Sequence, residues 1–272
     1  MELPAARNEE AGGPGSRWWL ARWWAHLVIL GSYPLVLAGL SLFNEKEGAQ
    51  AMLPDDSASL VRFAGATLLH FAFFLAVAWG CSRASKDAML LRWREGIAPV
   101  WRGFVYSIAL RLLVIIVGLL IVVVVVVFQG TDAIRSIRPP AESVIDPEAL
   151  VADPLYLILN LTFVSFVMAG LREEIWRAGV LAGLWALFPK LKETTSGQVT
   201  SVVITAVIFG LGHWSQGWLG VILTTLLGLA LGAIMVFHRS IWDAVIAHGF
   251  FDGTTFLMLY VIAKLGWDFG GL

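Results

Sequence analysis

The chain has 272 residues, of which 58% are hydrophobic and 14% charged, and its formal net charge is −1. Soluble domains carry about a quarter charged residues, so a soluble globular class is excluded, and a near-neutral charge gives no basis for nucleic-acid binding. The one cysteine, Cys81, excludes an intrachain disulfide and a cysteine-rich metal site.

The first 16 residues are polar, contain Gly and Pro, and read as a disordered tail. We place that polar tail at residues 1–21. No cleavable signal peptide is expected, because the first apolar run is too long and no small-residue cleavage site follows it. A spanning helix needs about 20 mostly apolar residues. The candidate segments, in order, are Trp23–Phe43, Leu60–Gly80, Val105–Phe128, Leu155–Leu187, Val202–Trp214, Trp218–Phe237 and Ile241–Ile262. The third contains Val122 to Val127 unbroken. β-Branched residues disfavour helix in water, but in lipid only a helix or a closed barrel satisfies every backbone group. Uniform apolarity without alternation argues against a barrel. The fourth segment, 33 residues long, is too long for one straight span. It is either two elements or one long tilted helix.

The expected fold is all-α, a polytopic transmembrane bundle of about seven to eight helices. Residues 22–150 form N-terminal helices and an outer loop, 151–265 a core that carries the chemistry, and 266–272 a short tail. Lys and Arg set the orientation. With a cytoplasmic N-terminus, inside loops hold Arg7, Arg17, Arg22, Arg83, Lys86, Arg92, Arg94, Arg102, Lys190, Lys192 and Arg239. Outside loops hold Lys46, Arg135, Arg138 and Lys264. This imbalance predicts an integral, multi-pass protein with its N-terminus in the cytoplasm. Trp18, Trp19, Trp23 and Trp24 fit an interfacial belt, and the longest loop, 129–153 with Pro139 and Pro140, falls outside.

Ionisable residues inside apolar segments are the strongest functional signal. A charge at the bilayer centre costs about 2.5 kcal/mol or more, so such residues usually face a shared interior. The first group is Arg172-Glu-Glu-Ile-Trp-Arg177. On a helix, Glu173 and Arg177 are i,i+4 neighbours, and Glu174 and Arg177 are i,i+3. One carboxylate is then held by the arginine and the other is left unmatched, a state suited to a general base. Next comes Phe209-Gly-Leu-Gly-His213, with Phe209 and His213 on one face. Last is His248-Gly-Phe-Phe-Asp252, where i,i+4 spacing lets Asp252 orient the imidazole. His26, His70 and His238 lack acidic neighbours at helical spacing and are assigned to no site; His238 reads as solvated. Gly179–Gly183 and Gly228–Gly232 read as close-packing pairs within the bundle.

Taken in order, Glu-Glu followed by an aromatic, Arg and Gly, then Phe-x-x-x-His, then His-x-x-x-Asp resembles the CPBP (Abi, or CAAX-protease-like) intramembrane proteases. Ser240-Ile-Trp-Asp-Ala-Val-Ile-Ala-His248 is similar to that family's approach to its last histidine. The resemblance covers residues of about 150–260. It implies that Glu173 activates water with Glu174 as its partner, that His213 and His248 are site histidines, and that Asp252 holds the family's final Asn or Asp position. Arg177 and Phe209 would support them. Arg177 falls one residue early against the family pattern. Anchoring on both glutamates and Gly179 puts Ala178 in the arginine's place; anchoring on Arg177 puts Arg172 in place of the first glutamate. The first register keeps both glutamates.

The implied function is an intramembrane endopeptidase that hydrolyses peptide bonds of membrane-associated proteins or peptides, in a bacterial plasma membrane. No cofactor is required by the sequence. Zinc held by Glu173, His213 and His248 would also fit the donor types, although the His-Glu-x-x-His signature is absent. The expected partners are membrane lipid and a protein or peptide substrate. Two rivals stand: a non-catalytic scaffold or immunity protein of the same fold, and a proton-coupled transporter.

Overall fold

A computed structural model describes residues 15–43, 53–93, 95–133 and 144–266. Arg7, Lys46, Arg94, Arg135, Arg138, Pro139, Pro140 and the tail beyond residue 266 lie outside the described residues, as do the first 14 residues of the expected N-terminal tail. The described residues form nine α-helices and no strand. They are α1 (Arg17–Phe43), α2 (Ser57–Ser82), α3 (Ala98–Gln129), α4 (Pro147–Ala152), α5 (Pro154–Leu187), α6 (Lys190–Glu193), α7 (Thr195–Leu211), α8 (Gly217–His238) and α9 (Trp242–Lys264). The short helices α4 and α6 raise the number above the seven or eight expected. Among the described residues, five helices are long and apolar enough to cross a membrane: α2, α3, α5, α8 extended back to Trp214, and α9. The protein is an integral membrane protein.

Helix starts follow local capping chemistry. Helix α7 begins seven residues before the apolar run at Val202, because the Thr194 hydroxyl accepts from the Gly197 amide at 3.0 Å. At the start of α5, the Asp153 carboxylate accepts from the amides of Leu155 and Tyr156 and from the Ser57 hydroxyl. The Ser57 hydrogen bond is the main stabilising interaction and holds the Asp153 carboxyl below the usual carboxylate range.

The 34 residues of α5 form one continuous helix, not two elements. Its middle, Asn160–Leu171, is wound as a π-helix before regular α geometry resumes at Arg172. The Ser165 hydroxyl donates to the Asn160 carbonyl at 2.6 Å, and the Asn160 amide group donates to the Tyr156 carbonyl at 2.8 Å. Both side chains are fully buried. The looser winding is a feature found preferentially at functional sites. Here it ends one residue before the paired glutamates.

Small residues set how closely the helices approach. Leu30 and Met89 crowd Gly179, Leu27 crowds Gly183, and Ala206 and Val202 of α7 crowd Gly228 and Gly232 of α8. Both small-residue pairs therefore pack inside the bundle. The α5–α9 seam depends on this most. A Cβ on Gly170 would stand 2.9 Å from the Val245 carbonyl oxygen, and one on Gly253 would stand 3.2 Å from that of Leu161. Backbone atoms cannot yield as side chains can. Gly170→Val is expected to lower stability by about 1–3 kcal/mol, as overpacking does. Unfolding in mixed micelles would measure it, with Gly118→Val, where nothing lies within 4 Å, as the control.

Buried Ala178 and Leu181 of α5 pack in one cluster with Ile241 and Val245. Gly170 of α5 lies against Val245 and Gly249 of α9, so the first turns of α9 stand beside the middle of α5 and His248 reaches the depth of the glutamates. His26 is fully buried: Nε2 lies 2.9 Å from the Gly179 carbonyl, and Nδ1 lies 3.0 Å from the Ser82 hydroxyl. It ties α1 and α2 to α5. His238 is not solvated as expected, because its side chain is only 11% exposed and Nε2 meets the Tyr106 hydroxyl at 2.8 Å.

Candidate active site

Helices α5 and α9 bring Glu173, Glu174, His248 and Asp252 together. Glu174 is fully buried. One of its oxygens forms an ion pair with the Arg177 guanidinium, and the other accepts from Nδ1 of His248 at 3.0 Å. With Nδ1–H given to Glu174, Nε2 is the ring atom left to face the rest of the site. Around Nε2 stand the Asp252 carboxylate at 3.6 Å and the Glu173 Oε2 at 3.9 Å. The other Glu173 oxygen accepts from the Arg172 Nη2 at 2.6 Å. Glu173 is therefore paired, through Arg172, and not left unmatched as the spacing to Arg177 had suggested.

Both glutamates approach His248. Side-chain exposure rises in order: 0% for Glu174, 8% for His248, 13% for Glu173 and 26% for Asp252. The cluster is closed at Glu174 and opens at Asp252.

Arg177 is 1% exposed, and its guanidinium carbon lies 4.6 Å from the Phe209 ring centre. The Phe209 ring packs on His213 with centroids 4.5 Å apart. Phe209 thus links the buried ion pair to the second histidine through a cation–π contact. His213 sits just past the end of α7, with Nδ1 2.8 Å from the Phe209 carbonyl. It interacts electrostatically with Glu173 but forms no hydrogen bond or ion pair with a carboxylate among the described residues. Phe209 and His213 thus flank the cluster formed by the other four residues.

No group of three His, Cys, Asp or Glu is arranged to hold a metal among the described residues. The proposed zinc set of Glu173, His213 and His248 is not assembled as a ligand cage, since His213 stands apart, so no step is routed through a metal. A cavity of about 170 Å³ lies elsewhere, against the ion pair of Arg102 with Asp243 and beside Glu95 and His238.

Two further side chains border the cluster and were not singled out from the sequence. The Tyr33 hydroxyl, from α1, is buried and lies within reach of the charges of Arg172 and Glu173. Arg111, from α3, reaches α9 at the residues that flank Asp252. Its signal was present as a lone guanidinium within an otherwise apolar span.

Residues 154–254 match the family model described as Type II CAAX prenyl endopeptidase Rce1-like. The matched stretch contains every residue of the cluster and meets the resemblance read from the three motifs. It supports a membrane-embedded protease in general terms. No curated protein and no solved structure matches the chain.

Proposed function

We infer that this protein is a CAAX-protease-like intramembrane endopeptidase that cleaves membrane-associated protein or peptide substrates with a glutamate-activated water. One observation carries the reading. His248 Nε2 faces two carboxylates, Glu173 Oε2 at 3.9 Å and Asp252 Oδ2 at 3.6 Å. Those gaps are too long for direct hydrogen bonds and suit a bridging water.

Glu173 takes the proton of that water as the oxygen attacks the peptide carbonyl. Arg172 holds the second Glu173 oxygen and fixes the direction of the attacking lone pair. Glu174 accepts the Nδ1–H of His248, so the ring in its imidazolium form donates Nε2–H to the carbonyl oxygen, and Glu173 passes the proton it took from the water to the leaving amine. Asp252 orients the water from the open side. His213, on the flank with Nδ1–H given to the Phe209 carbonyl, offers an Nε2–H to the oxyanion only in its imidazolium form. The N-terminus faces the cytoplasm of a bacterial cell, in keeping with the excess of Lys and Arg in the loops on that side of the expected topology.

The test is cleavage of a quenched-fluorescent peptide library by the purified protein in detergent, with and without a chelator. Wild type is expected to cleave whether or not the chelator is present. His248→Ala is expected to lose at least a hundredfold in rate, within the range of general acid–base catalysis. Loss of wild-type cleavage on chelation, restored by zinc, would move the mechanism to a metal. Cleavage unchanged in His248→Ala would refute the assigned roles.

A further inference from the structure

Arg111 lies near the middle of the membrane. It contacts Thr254, 12 residues into α9, or roughly 18 Å from the start of that helix at the helical rise. Its Nη2 donates to the Phe251 carbonyl and to the hydroxyls of Thr254, at 2.6 Å, and Thr255, at 3.0 Å. The guanidinium also lies over the Phe251 ring, 4.6 Å from its centre. All the oxygen acceptors are neutral and all crowd onto one nitrogen. The only partner of Nη1 is the Met258 sulfur at 3.7 Å, and Nε has no hydrogen bond among the described residues. No carboxylate among the described residues stands within ion-pair distance. Asp252 is felt only through space, and its own closer partner is His248.

Hydroxyls and a carbonyl satisfy hydrogen bonds but do not neutralise a charge. If joining α3 to α9 were its whole role, a neutral donor would perform it without an intramembrane charge. The other two site guanidiniums, Arg172 and Arg177, each have a carboxylate. Arg111 alone among the three does not, and it is partly exposed on the side where the cluster opens.

We propose that Arg111 forms an anion subsite inside the membrane, beside the cluster, that receives a carboxylate of the peptide substrate. This deepens the protease reading and rests on it for the word substrate. A lipid phosphate is the poorer match, because Arg111 lies well below the headgroup layer of a core about 30 Å thick. A peptide carboxylate is carried to that depth by an apolar chain, and a guanidinium is the side chain best suited to hold it.

The test measures binding on a Glu173→Gln background, where hydrolysis does not interfere. Three fluorescent apolar peptides of one sequence are compared in proteoliposomes. They carry a free C-terminal carboxylate, a C-terminal carboxamide, or a carboxamide with one interior Gln replaced by Glu. A carboxylate peptide is expected to bind about tenfold tighter than the plain carboxamide, the factor typical of one charge-assisted hydrogen bond. Preference for the first or the third peptide tells a terminal carboxylate from a side-chain one. Adding Arg111→Gln is expected to abolish the preference, and Arg111→Lys to keep part of it. Adding Thr255→Val removes a neutral acceptor but leaves the charge, and is expected to keep it in full. No preference in the parent protein, or an equal preference after Arg111→Gln, overturns the subsite. If Arg111→Gln fails to fold, Thr255→Val decides: loss of the preference there makes Arg111 a helix tie and overturns the proposal. A preserved preference in a protein that cleaves no peptide would sink the protease reading and leave the subsite standing.

Discussion

Glu173→Gln is expected to lower peptide turnover by a hundred- to ten-thousand-fold, the range for losing a positioned general base. The substitution keeps the shape and the hydrogen-bonding reach of the side chain. It removes the one oxygen, Oε2, that faces His248 without another partner. Peptide binding should survive, so the loss should fall on kcat with KM little changed. Glu174→Gln is a useful contrast. Glu174 is fully buried and touches only Arg177 and His248. Its loss acts through the orientation of the imidazole, and its two effects, on turnover and on stability, should appear together. Equal turnover in Glu173→Gln and wild type would remove the glutamate mechanism, and no turnover in either would favour the scaffold reading. Intact proton flux with no hydrolysis would instead favour the transporter.

Arg177→Leu should be the most damaging single change to stability. Both members of the Arg177–Glu174 pair are at most 1% exposed. Taking away one buried partner leaves the other uncompensated, at a cost of about 3–5 kcal/mol. The cation–π contact with Phe209 is lost as well. Arg177→Met combined with Glu174→Gln leaves no uncompensated charge and should recover much of that stability, because a buried pair is often worth little more than its apolar replacement. Activity should not return with it, since His248 would still lack its anionic anchor. Equilibrium unfolding in micelles, read beside the peptide assay, measures the two quantities separately. A single variant as stable as wild type would show that the pair is solvated.

Much of this was legible because helical chemistry is local. Seven apolar segments mark the long helices. The i,i+4 spacing of His248 and Asp252, and the i,i+3 spacing of Glu174 and Arg177, become ion pairs in the fold. Other features depend on what the chain meets in space. Arg172 and Glu173 are adjacent, and adjacent helical residues do not face each other. Their pairing depends on the long guanidinium turning back, which no spacing rule reveals. The π winding of Asn160–Leu171 has no spacing rule that marks it, although Asn160 and Ser165, which bond within it, are polar residues in an apolar segment. The depth at which His248 meets the glutamates is likewise set by how α9 packs on α5, where Ile241 and Val245 share a cluster with Ala178 and Leu181. His213 is the residue for which pattern and geometry diverge most, because a backbone carbonyl takes the nitrogen that spacing alone left free.

The four side chains are covered progressively, from Glu174 at the closed end to Asp252 at the open one. On the protease reading, water, peptide and released fragments would share one entrance, and a fragment lingering beside Asp252 would hold off both the next substrate and the water for the next turnover. A closed end at Glu174 would also return the cluster's protons by the side on which they entered. A membrane could hold this reactive centre without becoming leaky.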